Sequence, residues 1–272
     1  MIIIFDTCCG LCNQFYDIIS GVNFCLINNI KFSFRYCSFR ENNLVNWYDQ
    51  PFEKLFNLEN LKNIINYSNL YVDYESLQLT NENTYNLIGE TAINLLTDNF
   101  LDEIMNINKE FIILKQFWAI YKFKEIIITL HPHILPSNRL MNIYNQLKPN
   151  IIHDNEPYNF LHYRYEHDFT NHFNLKIEDL KTIILRIRNN YKNPNLKIYI
   201  ATNNIKNLIN INDPELSDII FKNDDEMNDY NYEEKAFIDY MFGLDSVEVY
   251  GHHNSSFSGI LNNLKNTNNY YA

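Results

Sequence analysis

The strongest constraint on the fold is an alternation of short apolar strands with amphipathic helices that begins at the first residue. Met1–Asp6 reads as a buried strand. Gln14–Asn28 follows as a helix, with Phe15, Ile18, Ile19, Val22 and Leu26 at helical spacing. Lys31–Tyr36 alternates as a second strand, which leaves Thr7–Asn13 as the connecting loop. Pro51–Tyr67 and Tyr85–Asp98 are expected to be helical, as is a segment around Phe111–Phe123, with a strand at Ile126–Leu130. Pro132, Pro136 and Pro149 punctuate the middle of the chain, and Ser137 is placed to cap a helix running through Leu147.

Beyond the prolines the alternation restarts. Strands are expected at Asn159–Arg164, Lys197–Ala201, Ile219–Phe221 and Val247–Val249. Helices are expected at Ile177–Tyr191, with Asp179 in its first turn, and at Ile205–Ile211, Tyr232–Phe242 and Ser256–Leu264. Repeated β-α units imply α/β architecture, with mostly parallel sheets flanked by helices. Two such runs predict two Rossmann-like lobes facing each other, residues 1–135 and 136–272. Ligands in such folds sit at the carboxyl ends of strands. Thr7–Asn13 and His162–Asp168 both fall there.

A net charge of −11 and the lack of Lys/Arg runs interleaved with aromatics argue against a nucleic-acid or anionic-membrane surface. One Arg in a cleft is still enough to hold a small anion. No apolar run reaches the ~18 residues of a membrane span, and Met1–Phe5 is too short for a signal peptide's apolar core. All five cysteines, Cys8, Cys9, Cys12, Cys25 and Cys37, fall near the start of the chain. Their odd number and clustering suit reduced thiols and a cytoplasmic location.

Two short patches carry the chemistry. The first is His162-Tyr163-Arg164-Tyr165-Glu166-His167-Asp168, at the end of an apolar run. Arg164 offers a planar, permanently charged fork for phosphate oxygens; the other reading pairs it with Glu166 or Asp168 to hold the loop. His162 shares its strand face and is either a donor contact or a satisfied core side chain. The second patch, Ser255-Ser256-Phe257-Ser258-Gly259, opens a helix. Its hydroxyls and first-turn N–H groups suit a phosphate, or Ser255 is a plain N-cap. Asp239, on a helix beside Phe237, Ile238 and Met241, either accepts from a guanine edge or is an ordinary exposed acid. Asp224-Asp225-Glu226 reads as a solvated loop and not a metal site, and His252-His253 and His131-Pro132-His133 read as surface or loop residues.

Together these pieces resemble the GDP-fucose protein O-fucosyltransferase family. The resemblance rests on His162-x-Arg164 with Asp168, and on Asp239 followed after fifteen residues by Ser255-Ser256-Phe257. Cys9-Gly10-Leu11-Cys12-Asn13-Gln14 resembles the family's Gly-x-x-Gly-Asn-Gln loop, with Cys9 and Cys12 at its two glycines. Pro51–Asn57 and Lys197–Ala201 sit where the family has comparable segments, and Asn203 stands where an acid is common. The resemblance implies a GT-B fold and an inverting, metal-independent transfer, with no cofactor, from a GDP-sugar, fucose as expected, to a hydroxyl of a protein, glycan or small molecule. It implies an acceptor-side first lobe and a nucleotide-sugar-binding second lobe. It assigns the β-phosphate and leaving group to Arg164, a donor contact to His162, guanine to Asp239, the phosphates to Ser255, Ser256 and Phe257, and the sugar end to Asn13. Glu166, Asp6 and Asp17 are candidate bases for the acceptor by position. Two alternatives are a non-catalytic GDP-binding module and a thioredoxin-like thiol oxidoreductase built on Cys9-x-x-Cys12.

Overall fold

The computed structural model describes residues 1–41, 46–64, 69–88, 100–115, 129–176, 178–203, 205–210 and 212–272. The chain divides into two compact units, Met1–Asn138 and Arg139–Ala272.

The first unit is organised around β1 (Ile2–Asp6), whose Ile3, Ile4 and Phe5 are fully buried. A strand covered on both faces must read as a continuous apolar run, and this one does. It pairs in parallel with β2 (Lys31–Arg40) on one side and β5 (Phe111–Lys115) on the other. β3 (Trp47–Pro51) adds an antiparallel edge to β2, and β4 (Thr84–Ile88) lies parallel to β5, giving the order β3-β2-β1-β5-β4. The crossover from β1 to β2 is α1 (Leu11–Asn28), which ends at Asn29 in the left-handed conformation. α1 lies so close to β1 that a Cβ at Gly21 would sit 2.7 Å from the Phe5 ring. Aromatic rings fill the space beneath. Phe34 stacks on Phe52 with centroids 4.6 Å apart, and Phe52 stacks on Phe56 at 4.8 Å. α2 (Leu58–Ile64) and α3 (Phe100–Met105) are short.

The sequence expectations err most here. Phe111–Lys115 is a central strand, not the start of a helix; its Phe-Ile-Ile-Leu run has no periodicity to separate a buried helix from a buried strand. Thr84–Ile88 is likewise a strand, and residues 89–98 and 116–123 of the two expected helices lie outside the described residues. The same holds for 126–128 of the expected strand, while Thr129 and Leu130 are helical. Pro51 closes a strand, an edge position where its missing N–H costs nothing.

α4 (Asn138–Ile151) starts on the last residue of the first unit, just after Ser137, whose hydroxyl donates to the Lys54 carbonyl, and the rest of it opens the second unit. Four parallel strands follow: β6 (Tyr158–His162), β7 (Lys197–Ala201), β8 (Ile219–Ile220) and β9 (Val249–Tyr250), in the order β8-β7-β6-β9. The helices are α5 (His167–His172), α6 (Leu180–Ile187), α7 (Ile205–Leu208), α8 (Tyr232–Asp245) and α9 (Ser256–Leu264). α6 begins at Asp179, whose carboxylate accepts the Thr182 N–H at 3.0 Å. α8 begins with a capping box between Asn231 and Glu234.

Leu161 and Tyr163 face the apolar cluster of α6, built on Ile183, Ile184 and Ile187. On the opposite face runs a file of rings. Phe242 stacks on Tyr199 at 4.3 Å, Tyr199 on Phe160 at 5.7 Å, Phe160 on Phe257 at 6.3 Å, and Phe257 on His162 at 4.2 Å. Period-2 alternation along β6 therefore places Phe160 and His162 at one end of a continuous aromatic layer.

Candidate functional site

β6 is flanked by β7, the next strand in sequence, and by β9, the last. The winding direction thus reverses between β6 and β9, and ligands in open α/β sheets bind outside the carboxyl ends at such a switch point. His162 is the last residue of β6. The turn after β9 runs through Gly251 and His252 into α9.

The two meet through side chains. His162 Nδ1 lies 2.9 Å from Ser258 Oγ and 3.5 Å from Ser255 Oγ. Ser258 Oγ also accepts the His252 N–H at 3.2 Å. Gly251 allows this approach, since a Cβ there would fall 2.1 Å from Ser258 Oγ. Ser255 occupies the N-cap of α9, yet its hydroxyl makes no cap bond and turns to His162 instead. The first-turn N–H groups of a helix have no partner within it, so Ser256, Phe257 and Ser258 present theirs at the helix's positive end. Burial, aided by the Arg164, His252 and Lys222 charges, pushes the His162 pKa well below its usual value. The imidazole is neutral at physiological pH, and it joins the Ser hydroxyls as a hydrogen-bonding wall.

Arg164 lies two residues past the end of β6, in a loop, rather than within the strand. Its Nε donates to Glu166 Oε2 at 2.8 Å, and its guanidinium carbon sits 4.7 Å from the Phe169 ring centroid. The backbone N–H of Arg164 donates to Tyr271 Oη. Glu166 also accepts from the Tyr165 N–H and, through Oε1, from Tyr232 Oη at 3.0 Å. Arg164 is thus both salt-bridged to Glu166 and close enough to lower the pKa of His162.

Asp239, on α8, is buried. Its Oδ1 accepts from Tyr199 Oη at 2.7 Å and its Oδ2 is paired with Lys222 Nζ. It is therefore not an ordinary exposed acid. Lys222 follows β8 and carries no sequence signal; an isolated Lys in Ile-Ile-Phe-Lys looks like any strand-end cation. Tyr199 and Tyr232 are equally unmarked, whereas Ser258 lies in the Ser255–Gly259 patch with no role of its own assigned. His252 and His131 are buried, not surface residues, and burial lowers their pKa values to about 4 and about 3.

Asn13 belongs to the first unit, in the opening turn of α1, where its N–H donates to the Gly10 carbonyl at 2.9 Å. The loop before it is held by Gln14. The Gln14 amide donates to Cys9 O and Ser38 O and accepts from Thr7 Oγ1 and the Ser38 N–H. Cys9 adopts a left-handed φ of 66°, the conformation a glycine takes without strain. Cys12 is buried in α1, and Cys8, whose sulfur lies 3.4 Å from that of Cys9, has its thiol pKa pushed far up by that contact and by burial. For Cys8 this is the opposite of the environment that activates a thiolate. Of the candidate bases, Asp6 is gripped by Arg35, Asp17 accepts the Cys8 N–H and Glu166 holds Arg164. Among the described residues no cluster of His, Cys, Asp or Glu is arranged to hold a metal ion, and no helix is long and apolar enough to cross a membrane.

The sequence matches no family model, and no curated protein matches it. Solved structures do. POFUT1 in complex with GDP superposes with a TM-score of 0.63 at 11% identity, over 100% of this chain and 98% of that one. NodZ alpha-1,6-fucosyltransferase soaked with GDP-fucose gives 0.60 at 12% identity, covering 96% and 92%. The fucosyltransferase NodZ from Bradyrhizobium gives 0.59 at 11%, covering 95% and 92%. The chain has the GT-B fold of these fucosyltransferases, with two Rossmann-like units and largely parallel sheets.

Proposed function

We propose that the protein is an inverting glycosyltransferase that moves fucose from GDP-fucose to an acceptor hydroxyl, without a metal. The observation that carries this reading is the meeting of His162 with Ser255 and Ser258 at the switch point of the second unit, beside Arg164, in a fold shared with GDP-fucose-binding proteins. The second unit is the nucleotide-sugar side. Arg164 and the N–H groups of Ser256 and Phe257 face the diphosphate, His162 contacts it, and Asp239 accepts from guanine. The first unit is the acceptor side, and Asn13 is its contribution to the sugar end.

In the reaction the acceptor oxygen bonds to the anomeric carbon as the bond from that carbon to the β-phosphate oxygen breaks. The acceptor's hydroxyl proton passes to solvent water, and GDP leaves with the bonding pair. Negative charge grows on the β-phosphate, where fixed donors are worth several kcal/mol of barrier, about 3 for a single well-placed one. Arg164 and the α9 amides are such donors, held in place before the donor arrives. A neutral His162 adds a hydrogen bond without a second full charge.

The closing test is calorimetric titration with GDP, UDP and ADP, each with and without EDTA. GDP-selective binding that persists in EDTA supports the reading and directs the acceptor screen to GDP-fucose. Binding restricted to UDP, or to metal-containing buffer, replaces it with another transferase class. The clustered cysteines of the sequence fit a cytoplasmic enzyme.

A further inference from the structure

Lys222, Asp239 and Tyr199 form a buried, charged cluster in the second unit. Lys222 and Asp239 are both buried, their side chains 6% and 10% exposed. A buried cation is tolerated only with a partner and satisfied protons. Lys222 Nζ is paired with Asp239 Oδ2, and Tyr199 Oη donates to Oδ1 at 2.7 Å. The Lys222 backbone N–H in turn hydrogen-bonds the Tyr199 oxygen. Three segments, β7, the stretch just past β8 that carries Lys222, and α8, are closed into one ring of contacts.

The cluster is not remote from the site. Tyr199 lies in the aromatic file that ends at Phe257 and His162, and the Lys222 charge is one of those that lower the His162 pKa. Tyr199 itself is wedged between Phe160 and Phe242, so its hydroxyl is a fixed point. An Asp held at both oxygens by fixed partners has one orientation. A carboxylate has about four acceptor positions, and Tyr199 and Lys222 engage one Asp239 oxygen each.

From this we infer that Lys222 and Tyr199 are positioning residues for Asp239 and set the nucleobase preference of the donor pocket. The inference rests on the reading that this unit binds GDP with Asp239 at the guanine edge. Lys222 supplies the countercharge that makes a buried carboxylate tenable, and Tyr199 sets its rotation. Guanine N1–H and the 2-amino group then meet an oriented anion. Without Lys222 the buried carboxylate favours its protonated form, which presents a donor where guanine also presents donors.

The test compares GDP with inosine diphosphate, which lacks the 2-amino group, by calorimetry on wild type, Lys222→Met, Tyr199→Phe, Asp239→Asn and the Lys222→Met/Asp239→Asn double variant. Wild type is expected to prefer GDP by about tenfold or more, as for a hydrogen bond to a charged group. That ratio should fall towards one in Lys222→Met and by about threefold in Tyr199→Phe, and Lys222→Met should change it no further in the Asp239→Asn background. Tyr199→Phe removes one oxygen and keeps the ring stack, so the test does not depend on Lys222→Met folding. A GDP-to-inosine-diphosphate ratio unchanged in Tyr199→Phe, or in a folded Lys222→Met, overturns the inference, even if both affinities drop together. So does a wild-type ratio of one. Absence of GDP binding in wild type overturns the underlying reading, and it shows before any variant is made.

Discussion

Arg164 Nε donates to Glu166 Oε2 at 2.8 Å, so the guanidinium just past the end of β6 is oriented by a carboxylate two residues along the chain. Glu166 is itself anchored to α8 through Tyr232 Oη at 3.0 Å. The salt bridge and the phosphate clamp are therefore not competing descriptions of Arg164. An Arg has five N–H donors in a rigid fork; holding it by Nε fixes the plane in which the remaining donors lie.

Arg164→Ala should cost at least about a hundredfold in turnover, the loss seen when one fixed transition-state donor is removed. The fold should survive with a lowered melting temperature, because Arg164 and Glu166 are only 18% and 9% exposed and the substitution leaves the Glu166 carboxylate buried without its cation. Arg164→Lys should rescue little, since an ammonium cannot reproduce the planar fork. Steady-state kinetics with GDP-fucose, beside melting curves, decide this; turnover near wild type in Arg164→Ala removes the residue from catalysis.

Gly251→Ala places a methyl 2.1 Å from Ser258 Oγ and 2.4 Å from Ser258 Cβ. Overpacking of this kind costs about 1–3 kcal/mol, and the displaced part is the start of α9. Both the melting temperature and the GDP affinity should drop. Adding Ser258→Gly removes the clashing atoms, so stability should recover while affinity does not, because His162 has lost its 2.9 Å partner. Equal recovery of both would show that Ser258 is only packing.

How far the sequence could be read follows from where its signals are local. β7 and α9 fall where the residue pattern puts them, because each is bounded by polar or turn-forming neighbours and carries its own periodicity. His162 and the Ser255 patch were visible because strand end and helix start each leave a compositional mark. The antiparallel strand Trp47–Pro51 and the apolar strand Phe111–Lys115 were not, since an edge strand and a fully buried one both lack alternation. Lys222 was invisible for a different reason. Its importance comes from a partner seventeen residues away on another element, and pairing across a fold leaves no local mark. Asp239 shows the same limit, since an Asp is exposed by default whereas its spatial partners hold it buried.

Acid should destabilise the protein from about pH 6.5 downwards. His131 is buried against the Phe15 ring and its pKa falls to about 3. Below 6.5 the unfolded chain takes up a proton that the folded chain refuses, so stability present above pH 6.5 is lost as pH falls towards 3. The slope is at most about 1.4 kcal/mol per pH unit for each such histidine, and His162 and His252 act with the same sign. His131→Leu should flatten the slope by close to one proton between pH 6 and pH 4. Urea titrations across that range measure it, and an unaltered slope would mean that His131 is charged in the folded state.

Cys9→Gly separates the transferase from the thiol reading. Cys9 holds a φ of 66°, where a non-glycine residue costs about 1 kcal/mol or more. It also stands at a glycine of the loop pattern that the sequence resembles. Glycine there relieves the strain, while its greater freedom in the unfolded chain takes some of that back. Stability should be unchanged or raised by up to about 1 kcal/mol, and the loop should keep its shape, because Gln14 holds it through Cys9 O, a backbone atom that the substitution leaves in place. Transfer from GDP-fucose should persist, since the backbone approach of the loop is at least as open as before. A disulfide chemistry based on Cys9 and Cys12 would be abolished outright. Full transfer with no thiol at position 9 therefore leaves the cysteine pair as a tight-loop filler. Loss of all activity, with the fold intact, would return the thiol to the centre of the mechanism.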